Sequence, residues 1–271
     1  MGRTRHDGPV TAAPIPTLAL RGADIPLLGL GTWRAEGDGA VLATATALEL
    51  GYRHIDTATG YGNEAQVGRG LAASGVPRDE VFLTTKLPPE RAGHERETLE
   101  ASLTDLGTDH VDLWLVHWPP NKQATPATWS TFIELRDEGL VRAIGVSNYS
   151  VAQIDELIAA TGEAPAVNQL PWSPTDYDAQ LVADHAARGV QLEGYSPLRR
   201  TDLAHPTLVE VAAVHGVTTA QVVLRWHLDH HVVVIPKSVH RDRIAANLDI
   251  FGFALTADEV ARIDEIGVRA G

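Results

Sequence analysis

The chain has 271 residues and no cysteine, and its 35 Asp and Glu against 22 Lys and Arg give a formal charge of −13. Without cysteine there are no disulfides, no thiolate catalysis and no Cys-based zinc or iron–sulfur sites. The acidic balance argues against nucleic acid as the main partner, since phosphate backbones are held by clustered Lys and Arg. A hydrophobic fraction of 44% and a charged fraction of 21% are those of a soluble globular protein, and no apolar run nears the roughly 20 residues of a membrane span. No secretory signal is visible, so a cytoplasmic location is expected.

Residues 1–14 are rich in Gly, Pro, Thr and Ala without periodicity and are expected to form a flexible tail, leaving 15–271 as one domain. Thr17 to Leu27 alternates around a Gly-containing turn and reads as a β-hairpin capping the bottom of a barrel. Short apolar runs then alternate with helical patterns, the signature of successive βα units around a parallel sheet. Eight runs read as strands: Leu28 to Thr32, His54 to Thr57, Val81 to Lys86, Val111 to His117, Ala143 to Ser147, Ala166 to Leu170, Gln191 to Tyr195 and Val232 to Ile235. Helix-ending glycines precede several of them, at Gly51, Gly107, Gly139, Gly162 and Gly189. Eight units in about 250 residues predict a (β/α)8 TIM barrel of the α/β class. An open doubly wound sheet fits less well, because no G-x-G-x-x-G follows the first strand.

In such barrels the catalytic residues sit at the C-terminal ends of the strands. Asp56, Lys86 and His117 end strands two, three and four, and Tyr61 follows on a glycine-flanked loop. A phenol titrates near 10, so a tyrosine that donates protons at neutral pH is expected to be activated. An ammonium about 4 Å away, at an effective dielectric of about 20, contributes roughly 4 kcal/mol, or about three pKa units. Lys86 is expected to lower Tyr61 in this way, with Asp56 keeping Lys86 charged and His117 bonding the tyrosine or a substrate oxygen. Such a set protonates or polarises a carbonyl. Each residue also has a plainer use as loop cap, turn residue or core histidine, but four complementary groups at adjacent strand ends make coincidence improbable.

Gly51-Tyr52-Arg53-His54-Ile55-Asp56-Thr57-Ala58, Tyr61-Gly62-Asn63-Glu64, Thr84-Thr85-Lys86-Leu87, Val116-His117-Trp118-Pro119, Ile144-Gly145-Val146-Ser147-Asn148 and Ile235-Pro236-Lys237-Ser238 together resemble the motifs of the aldo-keto reductase family, in family order. The likeness runs from about residue 17 to 266 and is greatest to the bacterial 2,5-diketo-D-gluconate reductase type. It implies NADPH-dependent reduction of aldehydes or ketones, including small carbonyls and keto-sugars. Tyr61 would be the general acid, tuned by Lys86 and Asp56, and His117 would orient the carbonyl. It further implies cofactor contacts from Thr32, Ser147, Asn148, Gln169, Tyr195, Ser196, Leu198, Lys237, Ser238, Arg243 and Asn247, and a substrate pocket walled by Trp33 and Trp118 with Tyr61 and His117.

Charge supports the phosphate end independently. Lys237, Arg241 and Arg243 cluster where a helix begins, in an otherwise acidic chain, and such a helix start is an anion site. Ala246 replaces an acidic residue often found before Asn247, and His240 stands where close relatives carry Arg, so NADH is expected as a less favoured alternative. Two further departures bear on substrate. Asn168-Gln169-Leu170-Pro171-Trp172-Ser173-Pro174 differs from the family run, with Trp172 expected to reshape the pocket rim, and the chain ends at Gly271 where relatives continue into a covering loop, so a more open pocket is expected. The competing functions are a non-catalytic NADPH-binding sensor or subunit, and a barrel hydrolase using paired carboxylates or a metal, for which His227, His230 and His231 are the candidate ligands. The spacing of those histidines fits better the end of a helix, where cationic His suits the dipole. A monomer acting on a small molecule, without nucleic acid or membrane partners, is expected.

Overall fold

The computed structural model describes residues 15–268, so the tail expected over residues 1–14 lies outside the described residues. Strands β1 (Thr17–Ala19) and β2 (Asp24–Pro26) form the expected antiparallel hairpin, Leu18 opposite Ile25. Its turn places Gly22 at φ 96, and a Cβ there would fall 2.2 Å from the carbonyl oxygen of Arg142. Only glycine allows both that dihedral and that approach. Arg142 is the second residue of a later strand, and Arg21 reaches the carbonyl of Gly189 just before another. The hairpin therefore covers the end of the barrel at which the strands begin.

The parallel strands follow in chain order: β3 (Leu30–Gly31), β4 (His54–Asp56), β5 (Phe82–Leu87), β6 (Val111–Val116), β7 (Val141–Ser147), β8 (Val167–Pro171), β9 (Gln191–Tyr195) and β10 (Val233–Val234). Each pairs with the next in sequence. Parallel bridges from Leu28 to Val234 and from Gly31 to Lys237 close the sheet on itself, reinforced by the Gly29 N–H donating to the Val234 carbonyl at 2.9 Å. All eight expected strands are present. The first and last have shorter regular pairing than expected, because at the closing seam isolated bridges replace a continuous ladder.

Ten helices lie among the described residues: α1 (Gly37–Leu50), α2 (Glu64–Ser74), α3 (Glu95–Leu106), α4 (Pro126–Asp137), α5 (Val151–Thr161), α6 (Ala179–Ala187), α7 (Pro206–His215), α8 (Thr219–Asp229), α9 (Arg241–Leu248) and α10 (Ala257–Val268). Gly51, Gly107 and Gly162 are left-handed C-caps, while Gly139 and Gly189, both at positive φ, lie one residue past theirs. Helix α5 begins at a capping box made by Ser150 and Gln153, and α8 at one made by Thr218 and Gln221. Helix and sheet meet over apolar side chains; Trp114 of β6, for example, is fully buried and stacks on Phe132 of α4 with ring centres 3.9 Å apart. Such burial stabilises by roughly 1.5–3 kcal/mol per large apolar side chain. No single helix is long and apolar enough to cross a membrane among the described residues.

Candidate active site

Register brings the ionisable residues together. Asp56 is the last residue of β4, Lys86 the penultimate residue of β5, and His117 follows β6, tied back by its N–H to the Leu87 carbonyl at 2.9 Å. Lys86 is fully buried, and its ammonium donates to Asp56 Oδ1 at 2.6 Å and to the Thr57 carbonyl at 2.7 Å. The other oxygen of Asp56 accepts from Gln169 Nε2 at 2.8 Å, across the barrel from β8. Tyr61 sits on a 3-10 turn, Thr59–Tyr61, with Lys86 Nζ 5.1 Å from its ring centre and the His117 imidazole edge-on at 5.6 Å.

The loop that carries Tyr61 is fastened on both sides. Thr59 donates to the Lys86 carbonyl at 3.0 Å. Asn63 accepts from Thr57 and donates to the carbonyls of Thr32 and Ala35, each at 2.9 Å. Glu64 takes hydroxyl donors from Thr85 at 2.5 Å and Ser102 at 3.1 Å, locking the start of α2 to β5 and α3. These buried polar groups have partners, so the turn is positioned by hydrogen bonds rather than left as a free surface loop.

Electrostatics corrects one expectation. Burial pushes the Tyr61 phenol upward, Lys86 pulls it down, and the net shift is upward rather than the lowering the charge argument anticipates. Desolvation outweighs the ammonium, and Tyr61 is held protonated. Burial works against the charge of Lys86, but Asp56 and then Tyr61 outweigh it and its pKa rises. Burial lifts Asp56 too, against the pull of Lys86. His117 is lowered to about 3 by burial and then by Lys86, so near neutral pH its ring is uncharged and can donate one N–H.

The residues expected to hold a dinucleotide cluster at the same barrel end. Thr32, 1% exposed, donates through its hydroxyl to the Asp56 carbonyl at 3.0 Å. Ser147 ends β7, its hydroxyl on the Gln169 carbonyl at 2.9 Å. Asn148, at φ 63, donates to the His117 carbonyl and to Ser147 Oγ, and accepts from the Tyr195 hydroxyl at 2.9 Å. Ser147 and Asn148 are not the cap of α5, because Ser150 has that place. Ser196, at φ 56, and half-buried Leu198 continue from Tyr195. Beyond β10, Ser238 and Asn247 are buried while Lys237 and Arg243 are exposed around the start of α9. Arg241 is held by Glu49 at 3.1 Å, whereas Lys237 and Arg243 form no ion pair among the described residues.

Trp33 and Trp118 are both exposed, at 38% and 49%. Two guanidiniums that sequence reasoning missed lie against Trp33, Arg34 at 4.4 Å and Arg199 at 5.4 Å from its ring centre. Trp172 departs from expectation: it is 1% exposed and stacks 6.2 Å from Trp226 of α8, so it is a core residue and not part of the rim. The histidines at the end of α8 also separate. His227 is fully buried between the carbonyls of Val223 and Trp172, and burial holds it down to about 4, so it is not the cationic end residue expected. His230 bonds Asp264 at 2.7 Å, and among the described residues no group of three or more His, Asp or Glu has the arrangement of a metal site.

The family model "Aldo/keto reductase family" matches residues 27–268. The chain is 44% identical over 255 residues to 2,5-diketo-D-gluconic acid reductase B of a Corynebacterium species, covering 92% of each chain. Among solved structures it is similar to an aldo/keto reductase from Brucella melitensis, with a TM-score of 0.89 and 42% identity over 93% of this chain and 99% of that one. A Bombyx mori aldo-keto reductase solved in complex with NADP gives a TM-score of 0.86 at 35% identity, over 94% and 93% of the two chains. The barrel with its hairpin, the motifs at its strand ends and these likenesses agree: this chain belongs to the aldo/keto reductase family of oxidoreductases.

Proposed function

We propose that the chain reduces small aldehydes and ketones, keto-sugars among them, to alcohols with NADPH, Tyr61 giving the proton to the carbonyl oxygen. The observation that carries this reading is the arrangement of Lys86 between Asp56 Oδ1 at 2.6 Å and the ring of Tyr61 at 5.1 Å, with His117 on the same ring. The dinucleotide, when bound, supplies the hydride that goes to the carbonyl carbon. This chain's residues do the rest. His117, neutral through its depressed pKa, donates an N–H that orients the carbonyl oxygen. Tyr61, kept protonated by burial, delivers its proton as negative charge develops there, and Lys86 stabilises the phenolate that forms.

The cofactor reading is supported by fit. Asn148 and Gln169 stand where a carboxamide would be read, the Nε2 of Gln169 held by Asp56 and the amide of Asn148 by its neighbours, and the Tyr195 ring stands beside them, fixed through its hydroxyl. Lys237 and Arg243, free of carboxylate partners among the described residues, supply positive charge at a helix start whose cap residue, His240, makes no side-chain cap bond. Exposed Trp33 and Trp118 are the apolar walls proposed for the substrate pocket.

The test is NADPH consumption, with NADH in parallel, against methylglyoxal, 4-nitrobenzaldehyde and 2,5-diketo-gluconate. Turnover of at least one of them, faster with NADPH, is expected. Quenching of tryptophan fluorescence by NADPH with no reduction of any carbonyl would favour the cofactor-binding module instead.

A further inference from the structure

Two residues before Tyr195 on β9, Glu193 is 0% exposed inside the barrel, and among the described residues neither of its carboxyl oxygens has a hydrogen-bond partner at bonding distance. The nearest basic atom is Nε2 of His54 on β4, 3.7 Å from Oε1. That imidazole is also fully buried, shares a 3.2 Å contact with Thr84 Oγ1, and fits only because residue 29 is glycine: a Cβ there would lie 2.5 Å from its Nδ1. Register pairs Glu193 with Gln169 on β8, whose side-chain amide is spent on Asp56 at 2.8 Å, and with Val233 on β10. The titratable groups that act on it or contact it are thus His54 and Asp56 from β4, Lys86 from β5 and Tyr61 from the turn after β4.

The cluster around Glu193 therefore holds two carboxyls and one ammonium among the described residues. Asp56 has taken the N–H donors, Lys86 on one oxygen and Gln169 on the other. A second anion at Glu193 would be desolvated, with Gln169 already committed to Asp56, and beside a like charge, which strongly favours the neutral acid. Burial, and then the charge of Asp56, push Glu193 up to about 8. Burial, and then Lys86, hold its neighbour His54 down to about 3, leaving an uncharged ring that can accept the acid's O–H.

We propose that Glu193 is a positioning residue that works as a neutral acid: its proton keeps one anion and one cation in the barrel, so the charge of Lys86 serves Asp56 and Tyr61 alone. When mildly alkaline solvent removes that proton, the new carboxylate competes with Asp56 for Lys86, proton delivery from Tyr61 weakens, and turnover falls before Tyr61 itself ionises. This rests on the reading of Tyr61 as proton donor, so one arm of the test is made without cofactor or substrate.

In the ligand-free protein, difference infrared spectroscopy across a pH titration should show a protonated-carboxyl band in the wild type that disappears with a midpoint near about 8 and is missing from Glu193→Gln. With NADPH and a reduced aldehyde, kcat of each protein is followed against pH and normalised to its own value at neutral pH. The alkaline limb of Glu193→Gln should lie at least about one pH unit above that of the wild type, a tenfold difference in proton concentration, with the shift in kcat and not in KM. A limb at the same pH in both proteins, or no titrating band in the wild type, overturns the proposal. Should Glu193→Gln fail to fold, the wild-type infrared titration decides alone. Tyr61→Phe tests the proton donor separately, because the infrared arm does not depend on catalysis.

Discussion

The two ends of the barrel treat charge in opposite ways. Where the strands begin, Asp112 is 2% exposed yet bonds Arg78 at 2.8 Å, Arg142 at 2.9 Å and the Leu83 N–H at 2.9 Å, under the cover of the hairpin. Where they end, Arg34, Arg199, Lys237 and Arg243 form no ion pair among the described residues, and the Asp56–Lys86 pair lies beneath Tyr61. One end uses its charges on itself. The other leaves several cations without a carboxylate partner among the described residues, at the end where such barrels bind their ligands.

Substitutions sharpen the contrast. Lys86→Met should have the largest effect, lowering kcat by about 10³, near 4 kcal/mol, and destabilising the fold by about 3 kcal/mol, because Asp56 becomes an unpaired buried carboxyl. Steady-state kinetics and urea denaturation would check both, and near-normal turnover would remove the ammonium from the account. Asp112→Ala should do the reverse: about 3 kcal/mol of stability lost with the hydrogen bonds to two guanidiniums and a backbone N–H, while kcat stays within about twofold. An equal loss of turnover would mean that the two ends are coupled.

The buried histidines set a pH dependence. His54 and His117, held at about 3, and His227, at about 4, stay neutral when folded, whereas in the unfolded chain they take up protons near about 6.5. Their contribution is therefore complete above about pH 6.5 and declines as pH falls towards those folded values. Glu193 has the opposite sign. Its folded value of about 8 lies above its unfolded one, so the stability it confers is present in acid and is lost as pH rises to about 8. Thermal melts across pH should show the gap between Glu193→Gln and wild type widening from acid to mildly alkaline pH; a constant gap would contradict a neutral Glu193. The smallest effect is expected for Arg243→Ala, about tenfold weaker NADPH binding, or 1.4 kcal/mol, with NADH binding and melting temperature nearly unchanged. Equal weakening of both dinucleotides would mean that Arg243 does not read the extra phosphate.

Most of the fold was legible because periodicity and punctuation agree. Near-continuous apolar runs mark strands buried on both faces, and glycines such as Gly51, Gly107 and Gly162 mark the helix ends before them. Asp56, Lys86 and His117 were legible from position alone, since each lies at or within one residue of the C-terminal end of a strand. What escaped depends on contacts across the barrel. Glu193 lies in a run read correctly as a strand, and counting two residues back from Tyr195, as from Asp56 to His54, puts both on the inward face; the signal was there, but only the closed barrel brings them to 3.7 Å. Trp172 and His227 were misplaced for one shared reason: the carbonyl of Trp172 and the turn of α8 meet in the core, which no local pattern encodes. The direction of the Tyr61 shift was missed because a charge–charge sum leaves out desolvation, the larger contribution here.

The most direct test of the central claim is Tyr61→Phe, with turnover and NADPH affinity measured on the same preparation. The phenyl ring preserves the contact with His117 and removes only the hydroxyl. The account predicts a fall in kcat of about 10²–10⁴, the range for a positioned general acid, with NADPH binding unchanged within about threefold. Wild-type turnover in Tyr61→Phe would contradict it and require the proton to come from another group at the barrel mouth.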